Sequence, residues 1–194
     1  MTEQQSAKLL PSLFARIDEE QRITVLHIGP ALPETVTFFS RYRCKLHFVD
    51  VFDELPIVPE EEGGESALAF FRRLFNFPAG TRFDICLFWD LFNFLDAQAV
   101  EACMSSLRPW LIEGSQGHGF AVHNTRTPQR DEIFSICEPD QLAVRTRHRR
   151  LAGYSPHPQS HLKTMLSVFQ FDRSVLLADS RLELLLSVRF LSSA

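Results

Sequence analysis

Two carboxylates and a glycine, each placed directly after an apolar run, are the residues of this chain best suited to chemistry. Ile23-Thr-Val-Leu-His-Ile28 runs into Gly29, Leu46-His-Phe-Val49 into Asp50, and Phe83-Asp-Ile-Cys-Leu-Phe-Trp89 into Asp90. A strand that ends at a glycine turn lets the backbone approach a ligand, because glycine adopts positive φ at little steric cost. An acid ending a neighbouring strand accepts hydrogen bonds from ligand hydroxyls. The crevice outside the carboxyl ends of strands is the usual ligand position of an open sheet. Each residue also has a structural reading: His27 as a core histidine, Asp50 and Asp90 as caps of the turns they begin, Trp89 and Phe92 as core rings.

These residues act together only if the three runs are strands of one sheet. The β-branched and apolar character of 23–28 and 83–89 predicts buried strands, and 45–51 gives a further strand between them. Pro33-Glu34 reads as a helix start, with Pro at the first position and an acid in the first turn, and Val36, Phe38, Phe39 and Tyr42 form its apolar side. Helices are expected over 66–77, 97–112 and about 155–166, and a turn at Glu113–Gly117 before a strand at 119–123. Strands alternating with helices indicate βαβ units and a mostly parallel sheet with helices on both faces. The runs 168–178 and 181–190, separated by Asp179-Ser180, predict an antiparallel pair closing the sheet. Leu9, Leu10, Leu13, Phe14 and Ile17 predict an amphipathic helix within residues 1–20, and 133–150 a hairpin insertion. The fold class is a Rossmann-like three-layer α/β sandwich, and one domain is expected over 1–194.

Composition narrows the functions. A net charge of −4 over 194 residues argues against nucleic acid or an anionic membrane as the main partner. No segment reaches the ~20 apolar residues that cross a bilayer, and the N-terminus lacks a signal-peptide pattern. Cys44, Cys86, Cys103 and Cys137 form no CxxC pair and read as free thiols of a cytoplasmic protein. His157 and His161, four apart, share a helical face but lack further strong ligands, so no metal is expected. His118 and His123 flank an apolar strand, and neither a GxSxG motif nor a Ser/His/Asp order is present. Arg145, Arg147 and Arg149 alternate; on a strand they share one face, either solvated and balanced by acids or able to contact RNA.

Taken in order, these elements resemble the class I S-adenosylmethionine-dependent methyltransferase family over roughly residues 20–190. In that family an acid precedes a glycine-rich loop, a second acid grips the ribose, a third lies near the methyl group, and an antiparallel strand pair ends the sheet. The resemblance makes Gly29 the first loop glycine, Asp50 the ribose acid and Asp90, with Asn93 behind it, the acid after the fourth strand. Residues 107–122, LRPWLIEGSQGHGFAV, match the helix, turn and strand that follow. His27 stands where the acid before the loop belongs, and Ala31 and Pro33 where later glycines belong. Only about thirty residues separate Asp50 from Phe83, so the family's third strand is expected to be missing. The resemblance implies S-adenosylmethionine as cofactor, held by His27, Gly29, Asp50 and Asp90, and an unidentified methyl acceptor. The alternative is a non-catalytic binding or scaffold module on the same fold, with a protein partner. A dinucleotide enzyme fits less well, because Glu34 occupies the helix turn where a pyrophosphate sits.

Overall fold

The computed structural model describes residues 2–18 and 20–190. Its main element is a six-stranded sheet built from β2 (Ile23–Ile28), β3 (Cys44–Val49), β4 (Phe83–Trp89), β5 (Leu111–Val122), β8 (Gln170–Leu176) and β9 (Arg181–Ser187), in the spatial order β3-β2-β4-β5-β9-β8. The first four strands are parallel; β9 runs antiparallel to both β5 and β8. Asp179-Ser180 makes the turn of that last pair, with Ser180 at φ 68°. Among the described residues no strand lies between β3 and β4 in sequence, so β3 ends the sheet, as the short Asp50–Phe83 interval predicts.

Helices α3 (Ala67–Leu74), α4 (Ala97–Leu107) and α5 (Gln159–Met165) cover one face. Phe70, Phe71, Val100, Cys103, Met104 and Leu162 pack there on Leu26, Cys86, Phe88 and Leu186. The other face carries α1 (Leu10–Phe14) and α2 (Pro33–Phe39), together with a small antiparallel sheet of β1 (Thr2–Ser6), β7 (Gln141–Thr146) and β6 (Glu132–Glu138) in the order β1-β7-β6. Phe14, Phe38, Phe39, Phe134 and Leu142 bury Val25, Ile85, Leu87 and Trp89 beneath them. Most of the eighteen phenylalanines belong to these two apolar layers.

Three expectations need correction. The N-terminal stretch is no single helix: Thr2–Ser6 is an edge strand pairing with β7, and the helix is only Leu10–Phe14; residues 1 and 19 lie outside the described residues. Pro11 sits in the first turn of α1, so the helix starts no earlier, and polar residues 2–5 gain more from open backbone groups of β7. Strand β5 starts at Leu111 rather than 119, and the expected turn at 113–117 is a bulge inside it. Ser115 stitches that bulge, accepting from Ile112 N and donating to Phe83 O. Finally, α5 begins at Gln159, so His157 precedes the helix and shares no face with His161; its ring nitrogen Nε2 donates to Leu95 O at 2.7 Å.

Candidate functional site

Strand register brings Gly29, Asp50 and Asp90 to one rim. Ile28 pairs with Val49 and His27 with Leu87, so the residues that follow these strands emerge at the same edge of the sheet. Gly29 N donates to Val49 O at 2.8 Å, tying the first turn to the residue before Asp50. Its φ of +125° is a conformation only glycine adopts freely, whereas a Cβ there would meet His27 Cε1 at an ordinary 3.6 Å. The conformation, rather than space, demands glycine.

His27 does not reach the crevice. It is 1% exposed, accepts a 3.1 Å hydrogen bond at Nε2 from Trp89 Nε1, and lies 5.0 Å from the Phe48 ring. Burial holds its pKa down at about 4, so the ring is neutral. Trp89 is strained, at φ 52°. In return its ring stacks on Phe134 at 5.5 Å and bonds His27, while the distorted strand end turns Asp90 inward. Beneath it, His118 and Glu183 form a fully buried pair at 2.9 Å, and the same carboxylate accepts from Lys8 N, Leu9 N and Leu10 N. Burial alone would raise the Glu183 pKa, but these donors pull it below the usual range.

The two acids differ. Asp50 is half-buried and accepts from Asp53 N at 3.3 Å, capping the 3-10 turn Val51–Glu54. Burial raises its pKa, and Arg147 opposes the rise. Asp90 is 6% exposed, its Oδ1 has no hydrogen-bond partner, and no side-chain cap joins it to Leu91–Asn93. Burial pushes its pKa up to about 7, again against Arg147. Asn93 donates to Phe120 O at 3.3 Å rather than to Asp90. Phe92, like Trp89, is core.

Arg147 is the residue that sequence reasoning misplaces. Strand β7 ends at Thr146, so the three alternating arginines do not share a strand face. Arg145 pairs with Glu34 in the first turn of α2, and Arg149 Nη2 donates to Asp53 O at 2.9 Å. Arg147 instead folds inward. Its guanidinium lies 4.3 Å from the Phe52 ring centroid, its Nε is buried without a hydrogen-bond partner, and it acts through space on Asp90 and Asp50 alike. A run of arginines carries no signal that one of them will turn toward the core.

Arg147 opens a strap, residues 147–158, that crosses the rim. Arg147 N donates to Asp131 O, Leu151 N to Asp131 Oδ1, Tyr154 Oη to Thr127 O and Ser155 N to Asn93 O, each at 2.8 Å. The Tyr154 ring packs 5.6 Å from Phe94. The space left beside Asp90, lined by Asn93, Tyr154, Glu132 and Arg181, is about 20 Å³. That volume suits a single water, far below the ~300 Å³ at which small-molecule pockets begin. Larger cavities of about 210, 240, 340 and 560 Å³ do not include Gly29, Asp50 or Asp90, although the one of about 240 Å³ lies against the strap and shares Phe94 and Tyr154 with the space at Asp90. The residues present therefore do not fit a nucleoside cofactor in this conformation. Among the described residues no group of three or more His, Cys, Asp or Glu could hold a metal ion, and the four cysteines are unlinked.

No family model matches the chain, and no curated protein does either. Solved structures do. A protein of Pyrococcus horikoshii is similar at 11% identity and TM-score 0.54, over 93% of this chain and 88% of that one. The 1,6-didemethyltoxoflavin-N1-methyltransferase of Burkholderia thailandensis, solved with bound 1,6-didemethyltoxoflavin and S-adenosylhomocysteine, is similar at 11% identity and TM-score 0.51, over 94% of this chain and 76% of that one. The pyocyanin biosynthetic protein PhzM is similar at 12% identity and TM-score 0.51, over 93% of this chain; the chain spans 54% of PhzM's length. With the strand order, these likenesses define the fold: a class I methyltransferase-like α/β sandwich with its third strand missing.

Proposed function

We propose that this protein is a methyltransferase-fold binding module that does not transfer methyl groups. One observation carries the reading: the rim that joins Gly29, Asp50 and Asp90 is closed by the chain's own strap, leaving about 20 Å³ at Asp90. The loop supports it. Pro30 and Pro33 supply no N–H, and Ala31 stands where a glycine's freedom would serve a ligand. At the helix start Glu34 is committed to Arg145, whose bond holds its carboxyl below the usual range.

The module's partner is a protein, and nucleic acid is disfavoured by the net charge of −4 and by the acids already bound to Arg145 and Arg149. Among the described residues no helix is long and apolar enough to cross a membrane. The four unlinked cysteines support a reducing, cytoplasmic setting.

A second reading rests on the two acids, which occupy the strand ends where the fold's cofactor acids belong. Were the strap to open, Asp50 would meet the ribose of S-adenosylmethionine and Asp90 would lie nearer the methyl group, and transfer would run on proximity and orientation. The cofactor would supply the methyl group; this chain would bind and orient it. Calorimetric titration of the whole chain separates the readings. No saturable heat with ~1 mM S-adenosylmethionine or S-adenosylhomocysteine is expected, since each lost ~1.4 kcal/mol of contact weakens binding tenfold. Saturable binding that Asp50→Ala weakens at least tenfold overturns the module and selects the methyltransferase.

A further inference from the structure

The misfit between crevice and cofactor has a specific cause. We propose that the crevice is a binding site for a planar guanidinium cation, built from the Phe52 face and the carboxylates of Asp50 and Asp90, and occupied in cis by Arg147. The inference deepens the binding-module reading, because it names what the site now takes.

Three features fit that chemistry. The ring of Phe52, 1% exposed, offers its face to the guanidinium at 4.3 Å, a geometry that rewards a flat, weakly hydrated cation over an ammonium. Burial lowers the Arg147 pKa and the charges of Asp90 and Asp50 oppose that fall without a direct ion pair, so the stacked ring and the two acids together offset the cost of desolvating the cation. Asp90 Oδ1 and Arg147 Nε are each buried without a hydrogen-bond partner, an unused acceptor and an unused donor. A residue without positive charge at 147 would leave the acids at this rim without the cation that now opposes their burial.

Position supports the same reading. Arg147 is the first residue past β7, and its own N–H is pinned by Asp131 O, so its side chain is delivered from a fixed root. Arg149, two residues on, is held by Asp53 O and closes the strap behind it. The cation therefore works as a latch: while it sits on Phe52, residues 147–158 lie across the rim.

Chemical rescue tests the assignment. Arg147→Ala is expected to lower the melting temperature by roughly 4–8 °C and to speed tryptic cleavage after Arg149 and Arg150 severalfold. Methylguanidinium at ~10 mM should restore at least half of both losses, beyond its effect on the wild-type chain, whereas methylammonium should not. A variant that melts and is cleaved like the wild type overturns the latch. Stabilisation of Arg147→Ala by S-adenosylhomocysteine but not by methylguanidinium overturns the guanidinium site and assigns the crevice to a nucleoside. If Arg147→Ala does not fold, Arg147→Lys decides: wild-type melting in that variant refutes the need for a planar cation, and a loss of several degrees supports it. Wild-type binding of S-adenosylhomocysteine would instead count against the binding-module reading, so the two failures are told apart.

Discussion

The two edges of the main sheet have unlike fates. At the carboxyl edge of the parallel strands, where open sheets gather ligands, the rim of Gly29, Asp50 and Asp90 is shut by the strap and Arg147. The larger cavities, about 340 and 560 Å³, lie at the opposite edge, share Arg16, Glu113, Gly114 and Gln116 and are open to solvent, whereas the carboxyl side keeps only ones of about 210 and 240 Å³ outside the rim. The connections account for the difference. Residues 123–158, between β5 and α5, lay the β6–β7 hairpin on one face of the sheet and the strap across its carboxyl edge, whereas the other edge receives mainly short turns. Strand order decides where a crevice lies; a long connection decides whether it is open.

If closure makes the carboxyl edge tightly interdependent, substitutions there should cost far more than at the open edge. The largest effect is expected from Glu183→Ala, which strands His118 under Trp89 and frees three backbone N–H groups. A loss of about 3–5 kcal/mol in urea unfolding is expected; a loss below 1 kcal/mol would mean that this pair does not support the closed edge.

Next comes Asp90→Asn, read against pH. His27, with a pKa near 4 instead of 6.5, makes the fold lose stability as pH falls from 6.5 to 4, because the unfolded chain takes up the proton first. Asp90, near 7 instead of 3.8, acts oppositely: the folded state keeps a proton that the unfolded chain releases, so stability falls as pH rises from 4 to 7. At about 1.36 kcal/mol per pKa unit the full effects are roughly 3 kcal/mol for His27 and roughly 4 kcal/mol for Asp90, and the opposing slopes should leave the wild-type profile nearly flat between pH 4 and 6.5. Asp90→Asn should unmask the histidine slope and be the more stable protein at pH 8. A flat profile in the variant would contradict the buried, raised carboxyl.

A smaller loss, about 1–3 kcal/mol, is expected for Gly119→Ala. Its Cβ would stand 2.9 Å from Trp89 O, on the strand pair that shapes the rim. Arg173→Ala at the open edge closes the series: a change within about 0.5 kcal/mol is expected by thermal or urea unfolding. A larger loss there would erase the contrast between the edges.

Much of the fold was legible because it rests on local periodicity. The apolar runs ending at Ile28, Val49 and Trp89 read as strands, the first and last of them buried and the second a half-buried edge, and the proline at 33 and the Asp179-Ser180 turn marked boundaries that backbone geometry enforces. The N-terminal strand was not legible. Thr2–Ser6 has little strand propensity, and its pairing depends on β7, which is about 140 residues away. The three rim residues could be named from their places after the strands, but not their condition. That His27 turns to Trp89, that Asp90 is sealed without a partner, and that Arg147 rather than Arg145 or Arg149 enters the crevice are set by long-range contacts.

From its residues alone the chain specifies an α/β sandwich with one glycine and two acids at the strand ends, because side-chain periodicity and φ preferences act over a few neighbours. Tertiary structure alone decides that the crevice they frame is filled. The cation that fills it lies 95 residues from Phe52 in sequence, and only packing of the strap brings the two together.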